Sequence, residues 1–332
     1  MSENKKIGLT LGDFNGVGPE LIMKLCSDPR IFEYCTLIIY GSARVMSFYR
    51  KHLQNNEFVY SKIATPTQSH PKKFNLIDVW MDEYLVQPGT ESAEAGKCAR
   101  MAFQRAVDDL KNKQINALVT APVNKKTFYA EDFKFKGHSE YLANHSAGGN
   151  YLMMMVSEHL KVGTVTGHIP LSEVAMTLTK ELIVKKLEIL VKSLIQDFGC
   201  SKPRIAVLGL NPHAGDNGLI GKEENEIIEP AINELKEKGN LVAGPFSADG
   251  FFGSDSFSKY DGILSMYHDQ GLIPFKTLEF DRGVNFSAGL PFVRTSPDHG
   301  VAYSIAGTYK VNETSFRNSV FSALDILKSR GM

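Results

Sequence analysis

Short apolar runs alternate with longer segments of helical periodicity along most of the chain. Runs at residues 7–11, 36–40, 74–79, 116–120, 151–156, 161–166, 204–208 and 262–266 predict strands. Residues 19–26, 43–52, 91–111, 180–197 and 315–328 space their apolar side chains for helices and are rich in helix formers. Gly199 is placed to stop the fourth of these helices. Strand and helix in alternation predict an α/β fold with largely parallel pairing. After Ala121-Pro122 the chain turns irregular and polar up to Gly137. No repeat, low-complexity tract or flexible linker interrupts the pattern, so any domain boundary is a compact crossover.

Composition narrows the function classes. At 332 residues the chain suits two domains or one large α/β unit. Lys plus Arg and Asp plus Glu are 37 each, so no bulk field draws nucleic acid or an anionic membrane, and an anion site must be local. No run of 18 apolar residues and no secretion signal is found, which leads us to expect a cytoplasmic protein. Cys26, Cys35, Cys98 and Cys200 form no C-x-x-C pair and read as structural thiols of a reducing compartment.

Three of the nine histidines share a setting. His168 follows KVGTVTG, His213 follows IAVLGLNP, and His268 follows GILSMY. Each emerges where a strand ends, on the rim where open α/β sheets bind ligands. Converging there, three imidazoles would hold a divalent cation and leave a position open; taken singly, each reads equally as a polar turn residue. His52, His70, His145 and His159 read as structural.

Anion-binding chemistry comes from two further segments. His138-Ser139-Glu140 opens a helix, and a hydroxyl and an imidazole there can hold a phosphate or carboxylate, or Ser139 can simply cap the helix. Lys276, Asn285 and Arg294 lie close together in sequence, in a stretch that reads as turn-rich. Arg294 suits a forked anion contact and Lys276 a point charge. The turn from Gly12 to Pro19 sits where a dinucleotide loop would, yet it lacks G-x-G-x-x-G and reads as a tight turn.

The blocks LTLGDFNGVGPE, TAPVNKK, FKGHSEYLA, GLNPHAGDNGLIGKEE, MYHDQGLIPFK and GVNFSAGLPFVRTSPDHGVAYSIAG run in order from residue 9 to about residue 307. Together they resemble the 4-hydroxythreonine-4-phosphate dehydrogenase family of vitamin B6 biosynthesis. The resemblance implies an isocitrate/isopropylmalate-dehydrogenase-like α/β fold, with two α/β subdomains flanking a cleft, in a homodimer. The first subdomain would take residues 1–125 and about 285–332. The second, about 126–284, would carry most metal and substrate residues.

By the same resemblance His168, His213 and His268 bind one divalent metal (zinc, cobalt or magnesium), with one ligand supplied across the dimer interface. His138, Ser139, Lys276, Asn285 and Arg294 match the substrate contacts. NAD or NADP would bind without a G-x-G-x-x-G loop, and the block 298–312 resembles an adenosine-side loop, with Asp298 and Asn312 as candidate contacts. Asp249 and Asp269 are candidates to orient a ligand or move a proton, and the sequence does not choose between them.

The implied reaction is oxidation and decarboxylation of 4-phosphooxy-L-threonine to 3-amino-2-oxopropyl phosphate in pyridoxal phosphate biosynthesis. Two departures from the family pattern, Ser139 for threonine and Asp13-Phe14-Asn15-Gly16 for D-P-A-G, keep 4-phospho-threonate or 4-phospho-erythronate open as alternative substrates. The residues alone also allow a metal-assisted phosphoester hydrolase. A metabolite sensor lacks support, since neither a basic patch nor a helix-turn-helix is present.

Overall fold

Ile7, Leu9 and Leu11 have no exposed surface, as a parallel strand covered on both faces requires. In the computed structural model, which describes residues 4–129, 137–144 and 149–332, they belong to the first of the strands and the turn after it. The strands among the described residues are β1 (Lys5–Thr10), β2 (Cys35–Gly41), β3 (Tyr60–Ile63), β4 (Phe74–Asp78), β5 (Ala117–Thr120), β6 (Leu152–Val156), β7 (Lys161–Thr164), β8 (Arg204–Leu208), β9 (Leu241–Phe246), β10 (Gly262–Ser265), β11 (Val284–Ala288) and β12 (Val293–Pro297). The helices are α1 (Gly18–Leu25), α2 (Ala43–His52), α3 (Ala93–Lys111), α4 (Lys125–Phe128), α5 (His138–Asn144), α6 (Leu171–Thr177), α7 (Lys180–Gln196), α8 (Glu229–Glu237), α9 (Ala248–Gly253), α10 (His268–Glu279) and α11 (Thr314–Ser329). His145 and residues 130–136, read above as structural and as irregular chain, lie outside the described residues.

The chain divides into two compact units, Met1–Ser146 with Pro291–Met332, and Ala147–Leu290. The crossovers fall after Ser146 and Leu290, not near residues 125 and 284 as expected from the sequence. Aromatic packing explains the first difference: Phe128 and His138 lie on Phe103 of α3, with ring centroids 6.0 and 4.3 Å away, which keeps α4 and α5 with the first unit.

In the first unit the strand order is β3-β4-β2-β1-β5-β12, parallel throughout. The chain leaves β1 to one side for β2 and returns on the other for β5, so the order reverses at β1, the position where open α/β sheets place ligands. The turn after β1 is tightly packed. Gly12 has φ +70°, and a Cβ there would stand 2.4 Å from the Pro122 carbonyl oxygen. Asp13 and Asn15 are buried with it, Asp13 accepting the Tyr303 hydroxyl at 2.6 Å. This is the tight turn read from the sequence, filled by protein.

The second unit orders its strands β11-β6-β7-β10-β8-β9. β6 is antiparallel to both neighbours, whereas β7, β10, β8 and β9 run parallel. Its core joins Met155, Val162, Leu208, Ile263 and Phe275. Cys26, Cys35 and Cys98 are buried and Cys200 half-buried, and burial pushes all four thiols up from their ordinary pKa. Among the described residues no helix is long and apolar enough to cross a membrane.

Candidate functional site

Four parallel strands of the second unit end on one edge, and a candidate residue follows each. His168 follows β7, His268 opens α10 directly after β10, His213 lies in the turn after β8, and Asp249 lies in α9 after β9. The strand order β7-β10-β8-β9 therefore lines up His168, His268, His213 and Asp249, on strands spaced about 4.8 Å apart. His168 and His268 meet with ring centroids 5.4 Å apart. His268 Nδ1 lies 2.7 Å from Asp269 Oδ1. A carboxylate can only accept, so Nδ1 carries a proton; in the neutral ring this leaves the lone pair on Nε2, the tautomer a metal ligand needs. Gln270 fixes this end of α10, accepting the Met266 N–H at 2.7 Å and donating to Gly209 O at the end of β8 at 2.6 Å.

His213 is presented differently. It has φ 54°, and Ala214, Gly215, Asp216 and Asn217 after it are also left-handed. Asp249 is held below the usual carboxylate range, first by the Ser247 hydroxyl and then by the Gly250 N–H, with a smaller contribution from His213. Among the described residues no group of three or more His, Cys, Asp or Glu side chains is arranged to hold a metal ion. One chain thus brings His168 and His268 together and leaves His213 beside Asp249.

Lys276 lies on α10, Asn285 on β11 and Arg294 on β12, so the segment read as turn-rich is a helix and two strands. Polar residues buried within strands hid the pattern: Ser287, Arg294, Thr295 and Ser296 are all buried. Lys276 and Asn285 are half-buried in the second unit, whereas Arg294 belongs to the first.

In the first unit Arg294 is 5% exposed. Its Nη2 donates to Thr120 Oγ1 at 2.6 Å, at the end of the adjacent strand β5, and to His138 Nδ1 at 3.2 Å. Burial lowers the guanidinium pKa to about 10. Burial, together with the charges of Arg294 and Lys125, holds the His138 imidazolium well below its ordinary range. His138 is therefore neutral, and with Nδ1 accepting, Nε2 carries the hydrogen. That Nε2 is buried without a hydrogen-bond partner. A cation and a free N–H donor on one buried cluster suit an anionic group. Ser139 is half-buried in the first turn of α5, next to His138.

Of the two cofactor candidates, Asn312 is exposed and its Oδ1 accepts the Thr314 N–H at 2.9 Å, a bond that starts α11. The Asp298 N–H donates to Ser315 Oγ at 3.0 Å. The segment between them is fastened from α1: Glu20, fully buried, accepts the N–H groups of Gly307 at 2.5 Å and Tyr309 at 2.6 Å, and Lys24 donates to Val311 O at 2.7 Å. Sequence reasoning missed Thr120 and Glu20. The Ala121-Pro122 turn marked the strand end that carries Thr120; nothing local marked Glu20.

Residues 33–323 match the protein family described as "Pyridoxal phosphate biosynthetic protein PdxA". The chain belongs to this family. Every candidate residue from His138 to Asn312 falls inside the matched span. A relative named 4-hydroxythreonine-4-phosphate dehydrogenase, from Bacteroides thetaiotaomicron, is 48% identical over 99% of this chain and 91% of its own length. The crystal structure of the Klebsiella pneumoniae 4-hydroxythreonine-4-phosphate dehydrogenase superposes with a TM-score of 0.82 at 35% identity, covering 97% of this chain and 98% of that one. An isocitrate dehydrogenase from Methylococcus capsulatus, 10% identical, covers 98% of this chain and 87% of its own with a TM-score of 0.51. That likeness concerns the fold alone, and it agrees with the α/β architecture expected from the sequence.

Proposed function

We propose that this chain is a metal-dependent NAD or NADP dehydrogenase that oxidises and decarboxylates 4-phosphooxy-L-threonine, yielding 3-amino-2-oxopropyl phosphate for pyridoxal phosphate synthesis. Family membership supports the reaction class. The single observation that carries the substrate class is the buried Arg294–His138–Thr120 cluster, a cation and an imidazole donor of the kind that suits an anion. Arg294 binds an anionic end of the substrate, His138 Nε2–H adds a donor that stays neutral, and Lys276, Ser139 and Asn285 complete the substrate contacts.

The donor chemistry in the second unit fits a divalent cation: two facing imidazoles, one with its tautomer set by Asp269. His168, His268 and His213 would hold it. The chemistry these groups would supply is Lewis-acid polarisation of a substrate oxygen by the cation and a hydride acceptor in the nicotinamide. Asp269 orients His268, and Asp249, kept ionised by Ser247 and Gly250, is the carboxylate available to take a proton. A homodimer in which a second copy supplies part of the set, as the family resemblance implies, is part of this reading. Exposed apolar residues of the kind a second copy covers support it: Leu171 and Met176 on α6, Ile273 and Leu278 on α10, and Phe280 just beyond.

The test is reduction of NAD or NADP with 4-phosphooxy-L-threonine, 4-phospho-threonate and 4-phospho-erythronate, before and after chelation and after return of zinc, cobalt or magnesium. The reading expects fastest reduction with the amino-acid substrate, loss on chelation and recovery with metal. Phosphate release without nicotinamide reduction would make the chain a hydrolase instead.

A further inference from the structure

Residues 213 to 217 form a left-handed turn in which His213, Ala214, Asp216 and Asn217 all carry a Cβ, with φ of 54°, 51°, 42° and 53°. Left-handed backbone is unfavourable for such residues and persists only where the surroundings impose it. Glu224 supplies that imposition. It is 1% exposed and stands at the start of the single π-helical turn Glu224–Ile228. Its Oε1 accepts the N–H groups of Leu210 and Asn211, both at 2.7 Å, and its Oε2 accepts Asn211 Nδ2 at 2.9 Å. The turn then wraps around the carboxylate, so closely that a Cβ at Gly215 would stand 2.6 Å from Glu224 Oε2.

We infer that Glu224 is a positioning residue for His213, its carboxylate serving as the template for the left-handed turn. The inference rests on the reading above that His213 is a metal ligand. Three donors converge on Glu224, and only an acceptor-only group satisfies them all. An amide at this position would set an NH2 against Asn211 Nδ2. Flipping the Asn211 amide offers no escape, because its Nδ2 also donates to Glu223 Oε2 at 2.8 Å, and the flip would face oxygen with oxygen. The turn would relax and His213 would lose its presentation.

The test measures Co(II) affinity of the full-length protein from its visible absorption, in the parent and in Glu224→Gln, Asn211→Ala, His213→Ala and Val320→Ala. Val320 is a fully buried residue of α11 in the first unit, whereas the turn belongs to the second, and its variant is a control for general loss of stability. Supporting groups around metal ligands typically carry 10–100-fold in affinity. Glu224→Gln should weaken Co(II) by about that factor, Asn211→Ala by about tenfold, and Val320→Ala not at all despite a lower melting temperature. Glu224→Gln and Asn211→Ala both binding like the parent would overturn the positioning role while His213→Ala still loses the metal. If Glu224→Gln fails to fold, Asn211→Ala alone decides. Unchanged affinity in His213→Ala would instead overturn the metal reading beneath it.

Discussion

Replacing Arg294 by methionine separates what this side chain does for binding from what it does to the fold. In the folded chain burial lowers the guanidinium pKa from its ordinary value to about 10. At 1.36 kcal/mol per pH unit, holding the charge at neutral pH costs the fold about 3 kcal/mol. The sign follows from the depressed cationic pKa: the cost is fully present below the folded value and disappears only above the ordinary guanidinium value. Methionine has similar reach and no charge. It forfeits the charge-assisted bonds to Thr120 and His138, about 1.5–3 kcal/mol each. The net expectation is stability unchanged or lowered by up to about 3 kcal/mol, read by chemical denaturation. Binding should change by a separate mechanism. A forked contact to phosphate or carboxylate comprises two charge-assisted bonds of about 1.5–3 kcal/mol each, so KM for the phosphorylated substrate should rise at least about 100-fold while KM for NAD holds. A variant that loses more than about 3 kcal/mol of stability yet keeps its substrate KM would show that Arg294 is a structural residue and refute the argument.

Two further outcomes follow from the same geometry. His138 is held well below its ordinary pKa, so below pH 6.5 the unfolded chain takes up a proton that the folded chain refuses, and stability falls. Between pH 6.5 and about 5.5 this one group removes about 1 kcal/mol, and His138→Gln should lose that much less than the parent in denaturation at the two pH values; equal losses would mean that His138 titrates normally. Gly12→Ala combines a left-handed φ of +70° with a Cβ 2.4 Å from Pro122 O, and should cost about 2–4 kcal/mol in a melting experiment. A parent-like melting curve would show that the turn can move aside.

What the sequence disclosed, and what it concealed, divides along physical lines. Strands at 204–208 and 262–266 were legible because burial on both faces leaves mostly apolar runs, 205–208 in the first and 262–266 in the second, where Ser265 is the one polar residue. β9 was missed because Gly244-Pro245 argues against a strand, yet β9 is the last strand in the second unit's order, where a missing N–H is tolerated. β12 was missed because Arg294, Thr295 and Ser296 are polar and buried, so polarity there reported buried hydrogen bonding, and not exposure. The strand-end setting of His168, His213 and His268 was readable, but their alignment was not. It depends on β10 lying between β7 and β8, an order opposite to the chain's own sequence of β7, β8, β10.

That order has a further consequence for how the imidazoles are presented. His268 can be held rigidly by its own helix, because α10 starts on the middle strand, and Asp269 and Gln270 lock its ring and its first turn. His213 leaves from β8 through a turn that no helix starts, so its direction has to come from a side chain reaching across. Glu224 lies 13 to 14 residues beyond the N–H groups it accepts. Such a residue carries no local signature: in sequence it is one acidic residue among several in GKEENE, and only burial separates it from a solvated helix start. Glu20 in the first unit is the same device, a buried carboxylate collecting the N–H groups of a loop nearly three hundred residues away. Buried carboxylates that accept two backbone N–H groups from a single loop are therefore the feature to seek when a structure of this fold is searched for residues that shape a site without touching its ligands.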